Sequence, residues 1–402
     1  MTKPGFGKLA SLQEARKVIF SLIQETADET ILLEDALHRV VAGDVVSEID
    51  VPHFRKAAMD GFAVIAEDTF GASNTNPKQL EILDSITAGM VSKKELGKGC
   101  CIEITTGAAL PRNATAEVMV EHTEREGKAL TLYKSAAPGE NVISIGSDIK
   151  KGSIVLKKGT MLTPPIIGVL SAIGTTKVVV KKRPVIAYFS TGNEIVAPGE
   201  QLQEGKIYDI NSATITQAIR ANHCELVNLG VIKDDLEEIK SAVLQAVEKA
   251  DLVLLSGGSS LGGEDFMVQA VAEIGEVLIH GIAVKPGKPV LIGKVKGKSV
   301  IGLPGYPTSA LSNFYILIVP VIGQMLGFAE EKNIVQKRLS RKISSTIGRY
   351  EFLAVRVEGD YAVPVMKGSS AITTLSESDG FLGIDENTEV LEKDSVVEVI
   401  LL

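Results

Sequence analysis

Residues 184–326 alternate between short apolar strands and amphipathic helices, and this alternation constrains the fold more than any other feature of the chain. Strands and helices that alternate at this spacing form a parallel sheet with helices on both faces. Asn211 or Ser212 is predicted to cap the first helix, because both residue types are good N-caps. The predicted elements are strands 184–190, 225–231 and 252–255 and helices 213–221, 236–249, 266–274 and 309–326.

On both sides of this segment the pattern is typical of β structure. Residues 51–139 consist of short β-rich runs broken by glycine and proline, with no long helix. Strands are predicted again at 335–343, 351–357, 362–365 and 396–402. The predicted fold class is therefore α/β plus β in several domains: a central three-layer α/β domain with a parallel-rich sheet, a small β domain before it and a β domain after it.

Composition narrows the class of protein. The 402 residues include 42 basic and 50 acidic side chains, a net charge of -8, whereas a general nucleic-acid binder is basic. No apolar run follows Met1, and the longest apolar stretch, 310–328, is interrupted by Asn313 and Pro320. The three cysteines are too few for a disulfide framework. The sequence predicts a cytoplasmic protein with neither nucleic-acid nor membrane partners.

Three loops of the central segment follow strands, at 190–194, 256–265 and 302–309. Ligands of parallel sheets bind at the carboxyl ends of the strands, so these loops are predicted to form a site. Backbone N–H groups of the glycine-rich second loop can surround an anion. The residues of the three loops predicted to bind substrate are Thr191, Gly192, Ser256, Gly257, Gly258, Ser259, Ser260, Gly262, Pro304, Gly305, Pro307 and Ser309.

Charged residues accompany these loops. Asp265 is predicted at the start of a helix, where it could hold a divalent cation against a bound anion. Lys285 and Lys288 lie on a proline-stiffened turn suited to an oxyanion. Ser309 is a further candidate helix cap. Each feature alone also fits an ordinary turn, but together they favour a phosphorylated ligand bound with a metal.

Six short motifs occur along the chain in a distinctive order. They are Ala-Met-Asp-Gly-Phe-Ala at 58–63, Thr-Thr-Gly-Ala at 105–108, Ser-Thr-Gly-Asn-Glu at 190–194, Ser-Gly-Gly at 256–258, Lys-Pro-Gly-Lys-Pro at 285–289 and Gly-Leu-Pro-Gly at 302–305. In this combination the chain resembles the molybdopterin molybdenumtransferase family, which includes the E domain of gephyrin. The resemblance covers nearly the whole chain.

The resemblance implies an elongated homodimer of four-part subunits. A discontinuous linker and dimerisation domain would comprise 1–50 and 140–182, and a small β domain 51–139. A molybdopterin-binding α/β domain would span 183–328, and a C-terminal β-barrel-like domain 329–402. The active cleft of the family lies between the central domain of one subunit and the β domains of the other.

The reaction implied is insertion of molybdate into adenylylated molybdopterin with release of AMP, assisted by magnesium. Contact with the molybdopterin adenylyltransferase is a further implication. Magnesium would be held by Glu194 or Asp265. The positions that match functional residues of the family are Asp60, Thr106, Glu194, Asp234, Asp265 and Lys285, with Arg349 and Ser370 as matches in the C-terminal domain.

Several residues depart from the family pattern. Asn193 and Thr115 stand where an acidic residue is usual, and Tyr306 replaces an asparagine. His280 and Gly281 occupy a stretch where many members carry a lysine. These departures leave two alternatives open beside the molybdenumtransferase: a tungstate-inserting paralogue, or a non-catalytic protein that binds molybdopterin or acts as a scaffold.

Overall fold

The computed structural model describes residues 9–257, 265–328, 333–365, 367 and 371–401. In the N-terminal part the elements are α1 (Leu12–Leu22), β1 (Asp28–Leu32), β2 (Val45–Val46), β3 (Lys56–Ala57), β4 (Gly61–Val64), β5 (Lys78–Ile86), β6 (Cys100–Ile104), β7 (Ala116–Met119), β8 (Thr123–Glu126), β9 (Ala129–Leu132), β10 (Val142–Ile143), β11 (Ile154–Leu156), α2 (Pro164–Ala172) and β12 (Lys177–Lys181).

In the central part the elements are β13 (Val185–Thr191), β14 (Ile195–Val196), β15 (Ile207–Tyr208), α3 (Ile210–Ala221), β16 (Glu225–Ile232), α4 (Leu236–Lys249), β17 (Leu252–Gly257), α5 (Phe266–Ile274), β18 (Glu276–His280), β19 (Val284–Lys285), β20 (Leu291–Val295), β21 (Lys298–Pro304), α6 (Pro307–Asn313) and α7 (Val319–Met325). The C-terminal elements are β22 (Ile334–Leu339), β23 (Ile343–Ser344), β24 (Tyr350–Glu358), β25 (Tyr361–Pro364), α8 (Thr373–Ser376), β26 (Gly380–Ile384), β27 (Val390–Leu391) and β28 (Val396–Leu401).

The central domain is built on a six-stranded sheet in the order β16-β13-β17-β21-β20-β18. The first four strands are parallel; at one edge β20 pairs antiparallel with β21, and β18 pairs antiparallel with β20. Helices α3 and α6 cover one face and α4 and α5 the other, so alternate residues of each strand enter two separate cores. Burial on both faces explains why these strands are continuously apolar. The predicted three-layer α/β domain with a parallel-rich sheet is confirmed.

Aspartate residues are the N-caps of helices α3, α4 and α5. Asp209 caps α3 by accepting a hydrogen bond from the Ser212 backbone N–H at 2.9 Å, so the prediction that Asn211 or Ser212 caps this helix is wrong. The prediction placed the helix start too late because Asn211 and Ser212 are themselves residue types that favour the N-cap position. Ser309 is not a cap either, because α6 already begins at Pro307. A proline at the first position needs no donor there.

Helices α6 and α7 continue through a π-helical turn, Phe314–Ile318, as one apolar helix. By length and composition this helix, Pro307–Met325, is the one candidate membrane span among the described residues, and 72% of its apolar window is buried inside the protein. Its partners include α1, whose Leu12, Ala15 and Ile19 lie in the same core. The helix is therefore packed as a core helix of the central domain.

Two β units flank the central domain. The small β domain is a six-stranded sheet in the order β7-β4-β6-β5-β9-β8. At the C-terminus β24, β25, β22, β28 and β26 close into a barrel, because β26 pairs with both β28 and β24. The predicted α/β plus β class with a β-barrel-like C-terminal domain is thus confirmed.

Strand pairs β1–β12, β2–β11 and β3–β10 join residues 28–57 to 142–181. The numerical domain boundaries stay a prediction.

Candidate active site

A cavity of about 920 Å³ lies where the carboxyl ends of β13, β17 and β21 face the C-terminal barrel. Central strands and loops supply one wall, and β24 and α8 supply much of the other. The predicted site residues that line it are Thr191, Glu194, Gly257, Lys285, Lys288, Pro304, Gly305, Pro307 and Ser309. The edge of the sheet chosen by the parallel-strand rule is therefore the edge where the cavity lies.

Four polar side chains of the cavity wall are buried with an unpaired polar atom. They are Thr191 (Oγ1), Asn211 (Oδ1), Ser312 (Oγ) and Thr374 (Oγ1), for which the described structure provides no hydrogen-bond partner. An unpaired buried polar group costs about 1–3 kcal/mol. Side chains that turn toward the cavity could bond a polar ligand and so remove this cost.

The lysine turn is held rigidly at the cavity. The Asn313 side-chain amide donates to the Gly287 carbonyl at 3.2 Å, and Gly287 has φ +98°. A Cβ at Gly287 would lie 2.0 Å from Asn313 Nδ2, so only glycine fits there. Lys285 Nζ lies 3.1 Å from Oε1 of Glu351, a buried side chain of the barrel. The two domains together therefore place a cation at the cavity.

Three carboxylates, Glu194, Asp234 and Asp265, form an acidic trio at the same sheet edge. Burial and then the negative charges of Glu194 and Asp265 raise the pKa of Asp234 above its usual value, which means that the three interact. Asp265 caps α5, and its Oδ2 lies 3.6 Å from His280 Nε2. Glu194 lines the cavity, whereas Asp234 and Asp265 are not part of its wall.

The acidic trio offers carboxylate oxygens to a cation. Magnesium takes oxygen ligands, commonly one or two carboxylates together with substrate phosphates. Within residues 9–257, 265–328, 333–365, 367 and 371–401, no three His, Cys, Asp or Glu side chains are grouped closely enough to hold a metal by themselves. Burial, followed by the negative charges of Glu194 and Asp265, raises the pKa of Asp234, and the charges among these causes favour a bound cation. The carboxylates of Glu194 and Asp265 are oxygen donors of the type that magnesium takes.

Asp60 and Thr106 form a separate pair on the small β domain. Asp60 Oδ1 accepts hydrogen bonds from the Thr106 backbone N–H at 2.7 Å and from its hydroxyl at 2.8 Å. These two bonds lower the pKa of Asp60, so its exposed carboxylate is ionised and held in one orientation. The pair does not line the cavity of its own chain.

The remaining predicted residues fall into two groups. Gly192, Ser256 and Arg349 are not part of the cavity wall, and Ser256 shares a hydrogen bond of 2.6 Å with the buried Tyr188 hydroxyl. The other predicted residues lie outside the described part of the chain and are Gly258, Ser259, Ser260, Gly262 and Ser370.

Sequence reasoning missed several residues of the cavity wall: Asn211 as a ligand-facing residue, Ser312, Glu351, Lys367 and Thr374. The sequence predicted Asn211 only as a helix N-cap, not as a residue that faces a ligand. Ser312 lies one helical turn after Thr308 and Ser309, so the helical period could have found it. The barrel residues carry no local signal, because their position depends on how two domains pack.

The structure also places the residues that depart from the family pattern. The Thr115 hydroxyl accepts a hydrogen bond from the Ala66 N–H at 2.8 Å and so has a structural role. Asn193 Oδ1 accepts from the Asp234 N–H at 3.4 Å. Tyr306 is 61% exposed and lines the cavity, where its ring adds apolar surface.

A mixed-sheet α/β domain with a cavity at its strand ends, flanked by a small β domain and a closed barrel, defines a multi-domain ligand-binding class. Three family regions match in order: "MoeA N-terminal region (domain I and II)" at 10–174, "Probable molybdopterin binding domain" at 187–324 and "MoeA C-terminal region (domain IV)" at 336–402. The chain belongs to the molybdopterin molybdenumtransferase family, whose members are transferases of molybdenum cofactor biosynthesis.

Individual relatives agree with this membership. The chain is 36% identical to a Methanocaldococcus jannaschii protein that carries a molybdopterin biosynthesis name, over 98% of both chains. It is 33% identical to the molybdopterin molybdenumtransferase of Bacillus subtilis, over 97% of this chain and 94% of the relative. The crystal structure of a molybdopterin biosynthesis MoeA protein from Pyrococcus horikoshii has a TM-score of 0.85 at 44% identity, covering 98% of this chain and 99% of that one.

Proposed function

We propose that this protein inserts molybdate into adenylylated molybdopterin and releases AMP. The observation that carries the proposal is the cavity at the strand ends, with three lysines (Lys285, Lys288 and Lys367) and four unpaired buried polar groups in its wall beside the acidic trio. This combination suits a ligand that carries several anionic and polar groups.

Charge is the central problem of this reaction. Molybdate is a dianion and the nucleotide substrate carries a pyrophosphate, so like charges must be brought together. Lys285 and Lys288 supply positive charge from a rigid turn, which keeps the ordering cost of binding small. A protein with a net charge of -8 can bind such a substrate because the positive charge is local.

The chain's own residues take distinct places in the proposal. Thr191 and Asn211 would bond polar groups of the substrate near β13, Ser312 would do so from α6, and Thr374 from the barrel side. Glu194 and Asp265 would hold magnesium, which when bound would offset the charge of the phosphoanhydride. Asp234, with its raised pKa, would join this acidic group.

A homodimer is part of the proposal. Asp60 and Thr106 are held in one orientation but do not line the cavity of their own chain, so they could complete the cavity of a second copy. The linker region exposes large apolar side chains that a second copy would cover, namely Leu32, Leu37, Val46, Ile49, Ile154 and Val179. Sedimentation equilibrium of the purified protein tests this, and a monomer at micromolar concentration would overturn it.

A cytoplasmic location and contact with the molybdopterin adenylyltransferase complete the proposal and rest on the family resemblance. Asn193 and Tyr306 differ from the residues usual in the family, and they support two alternative functions. In the first the oxyanion is tungstate; in the second the protein binds molybdopterin without turning it over.

One experiment separates these three functions. Purified protein is given adenylylated molybdopterin and magnesium, and AMP release is followed with molybdate and with tungstate in separate reactions. AMP release that depends on molybdate and is abolished by Asp265→Ala supports the proposal. Release with tungstate alone indicates the tungstate enzyme, and tight binding without release indicates the binding protein.

A further inference from the structure

Glu117 is a fully buried carboxylic acid in the small β domain, 0% exposed on strand β7. Its neighbours Ala116 and Val118 are buried apolar residues of the domain's core. A strand buried in this way normally carries apolar side chains, because an unpaired buried carboxylate costs several kcal/mol. The position of Glu117 therefore calls for specific partners.

Its partners are two backbone N–H groups of one turn. Glu117 Oε2 accepts from the Ala58 N–H at 3.1 Å, which is shared with the Asn141 carbonyl at 2.9 Å, and from the Met59 N–H at 3.4 Å. Oε1 has no hydrogen-bond partner in the described structure. The next residue of the turn is Asp60, whose carboxylate is held from the opposite side by Thr106. Glu117 thus supports the backbone that presents Asp60.

We propose that Glu117 is a positioning residue: its ionised carboxylate holds the Ala58–Met59 turn so that Asp60 is presented in one orientation, and protonation loosens that turn. The proposal rests on the proposed function, which gives Asp60 its place in the reaction. The two bonds that Glu117 accepts are charge-assisted only while the carboxylate is ionised, and such bonds are about twice as strong as neutral ones.

The surroundings of Glu117 make its ionisation sensitive to pH near neutrality. Burial, and to a smaller extent the charge of Asp60, raise the pKa of Glu117 to about 7, while the two N–H groups act in the opposite direction. No lysine or arginine forms an ion pair with it in the described structure. Its ionisation state therefore changes between pH 6 and 8.

The other elements packed around Glu117 add little charge. Strand β4, which pairs with β7, carries no ionisable side chain. Glu140 contacts Glu117 only through its backbone carbonyl, and its carboxylate bonds the Ala137 N–H and Lys134. Asn141 donates its neutral amide to the Glu117 carbonyl. Asp60 is the charged group that Glu117 influences most directly.

The test compares Glu117→Gln with wild type and with Glu121→Gln, an exposed acid shortly after the same strand. Glutamine keeps an acceptor for the turn but cannot ionise. We expect wild-type kcat for AMP release to rise about threefold to tenfold between pH 6 and 8, with KM nearly constant. Glu117→Gln should show a flat profile at the lower level, and Glu121→Gln the wild-type profile. A wild-type profile in Glu117→Gln would overturn the proposal.

A second measurement does not depend on the reaction. Hydrogen exchange of peptides covering residues 57–62, corrected for the intrinsic effect of pH, reports the turn directly. Protection should decrease from pH 8 to pH 6 in wild type and stay constant in Glu117→Gln. Equal behaviour of both proteins would overturn the proposal, whereas absence of AMP release from wild type would count against the proposed function alone. Circular dichroism confirms that each variant is folded.

Discussion

Lys285 and Glu351 form an ion pair of 3.1 Å across the boundary between the central domain and the C-terminal barrel. The backbones of the two residues are paired as well, because β19 adds to the barrel alongside β24 with Lys285 opposite Glu351. The Ser345 hydroxyl donates to Glu351 Oε2 at 3.1 Å. The barrel therefore orients a cavity lysine that belongs in sequence to the central domain.

The first prediction concerns this ion pair. Glu351→Gln should lower kcat/KM for AMP release about tenfold, because Lys285 loses the negative charge that orients it. The free energy of unfolding should fall by only about 1 kcal/mol, since the Lys285 side chain is 45% exposed. Steady-state kinetics and thermal melts measure both quantities. Glu358→Gln, at the exposed end of the same strand, is the matched control. Wild-type kinetics in Glu351→Gln would show that the pair is only structural.

The second prediction concerns Asp60. Thr106→Val removes one of the two hydrogen bonds that lower the pKa of Asp60 and leaves the backbone N–H in place. The carboxylate should then protonate at a higher pH, so the acidic limb of the rate profile should move to higher pH. Thr131→Val on β9 of the same domain controls for a general effect of the substitution. An unshifted acidic limb would mean that Asp60 does not act in its ionised form.

The third prediction concerns the acidic trio. Asp265→Asn should keep α5 capped, because asparagine is as good an N-cap as aspartate, while it removes one negative charge. The magnesium concentration for half-maximal AMP release should rise at least tenfold. Magnesium titration in the assay measures this, and far-UV circular dichroism checks that the helix is retained. An unchanged magnesium requirement would exclude Asp265 as a ligand.

The fourth prediction follows from the raised pKa of Glu117. Glu117 binds a proton more tightly in the folded protein than in the unfolded chain. The stability that protonated Glu117 contributes is therefore fully present below about pH 4.5 and is lost as the pH rises through about 7. Relative to wild type, Glu117→Gln should therefore gain about 2–3 kcal/mol between pH 5 and pH 8. Urea unfolding at the two pH values measures the difference. A constant difference would mean that Glu117 titrates normally.

Local signals in the sequence predicted much of the fold. Helices 236–249 and 266–274 have the predicted bounds, because each begins after a capping aspartate and keeps one apolar face. The late prediction for the start of α3 shows the limit of such signals. Asn211 and Ser212 both favour the N-cap position, so their residue types alone did not reveal that Asp209 caps the helix.

The candidate site was predictable only in part. The loops after β13 and β21 were found because parallel strands bring their carboxyl ends to one edge. The lysine turn was found from its two lysines beside stiffening prolines. Thr374 and Glu351 were not found, since nothing near them in sequence indicates a ligand. Glu117 was missed for a related reason: the residues next to it in sequence do not reveal that the Ala58–Met59 turn donates hydrogen bonds to it.

The sequence by itself determined the elements, the class of fold and the chemistry of the loops, because capping, periodicity and strand order are properties of neighbouring residues. Only the tertiary structure decided which of these groups share a cavity and which polar atoms stay unpaired within it. It also decided that Asp60 lies away from that cavity. These outcomes depend on the packing of separate domains, whose contacts join residues far apart in the chain.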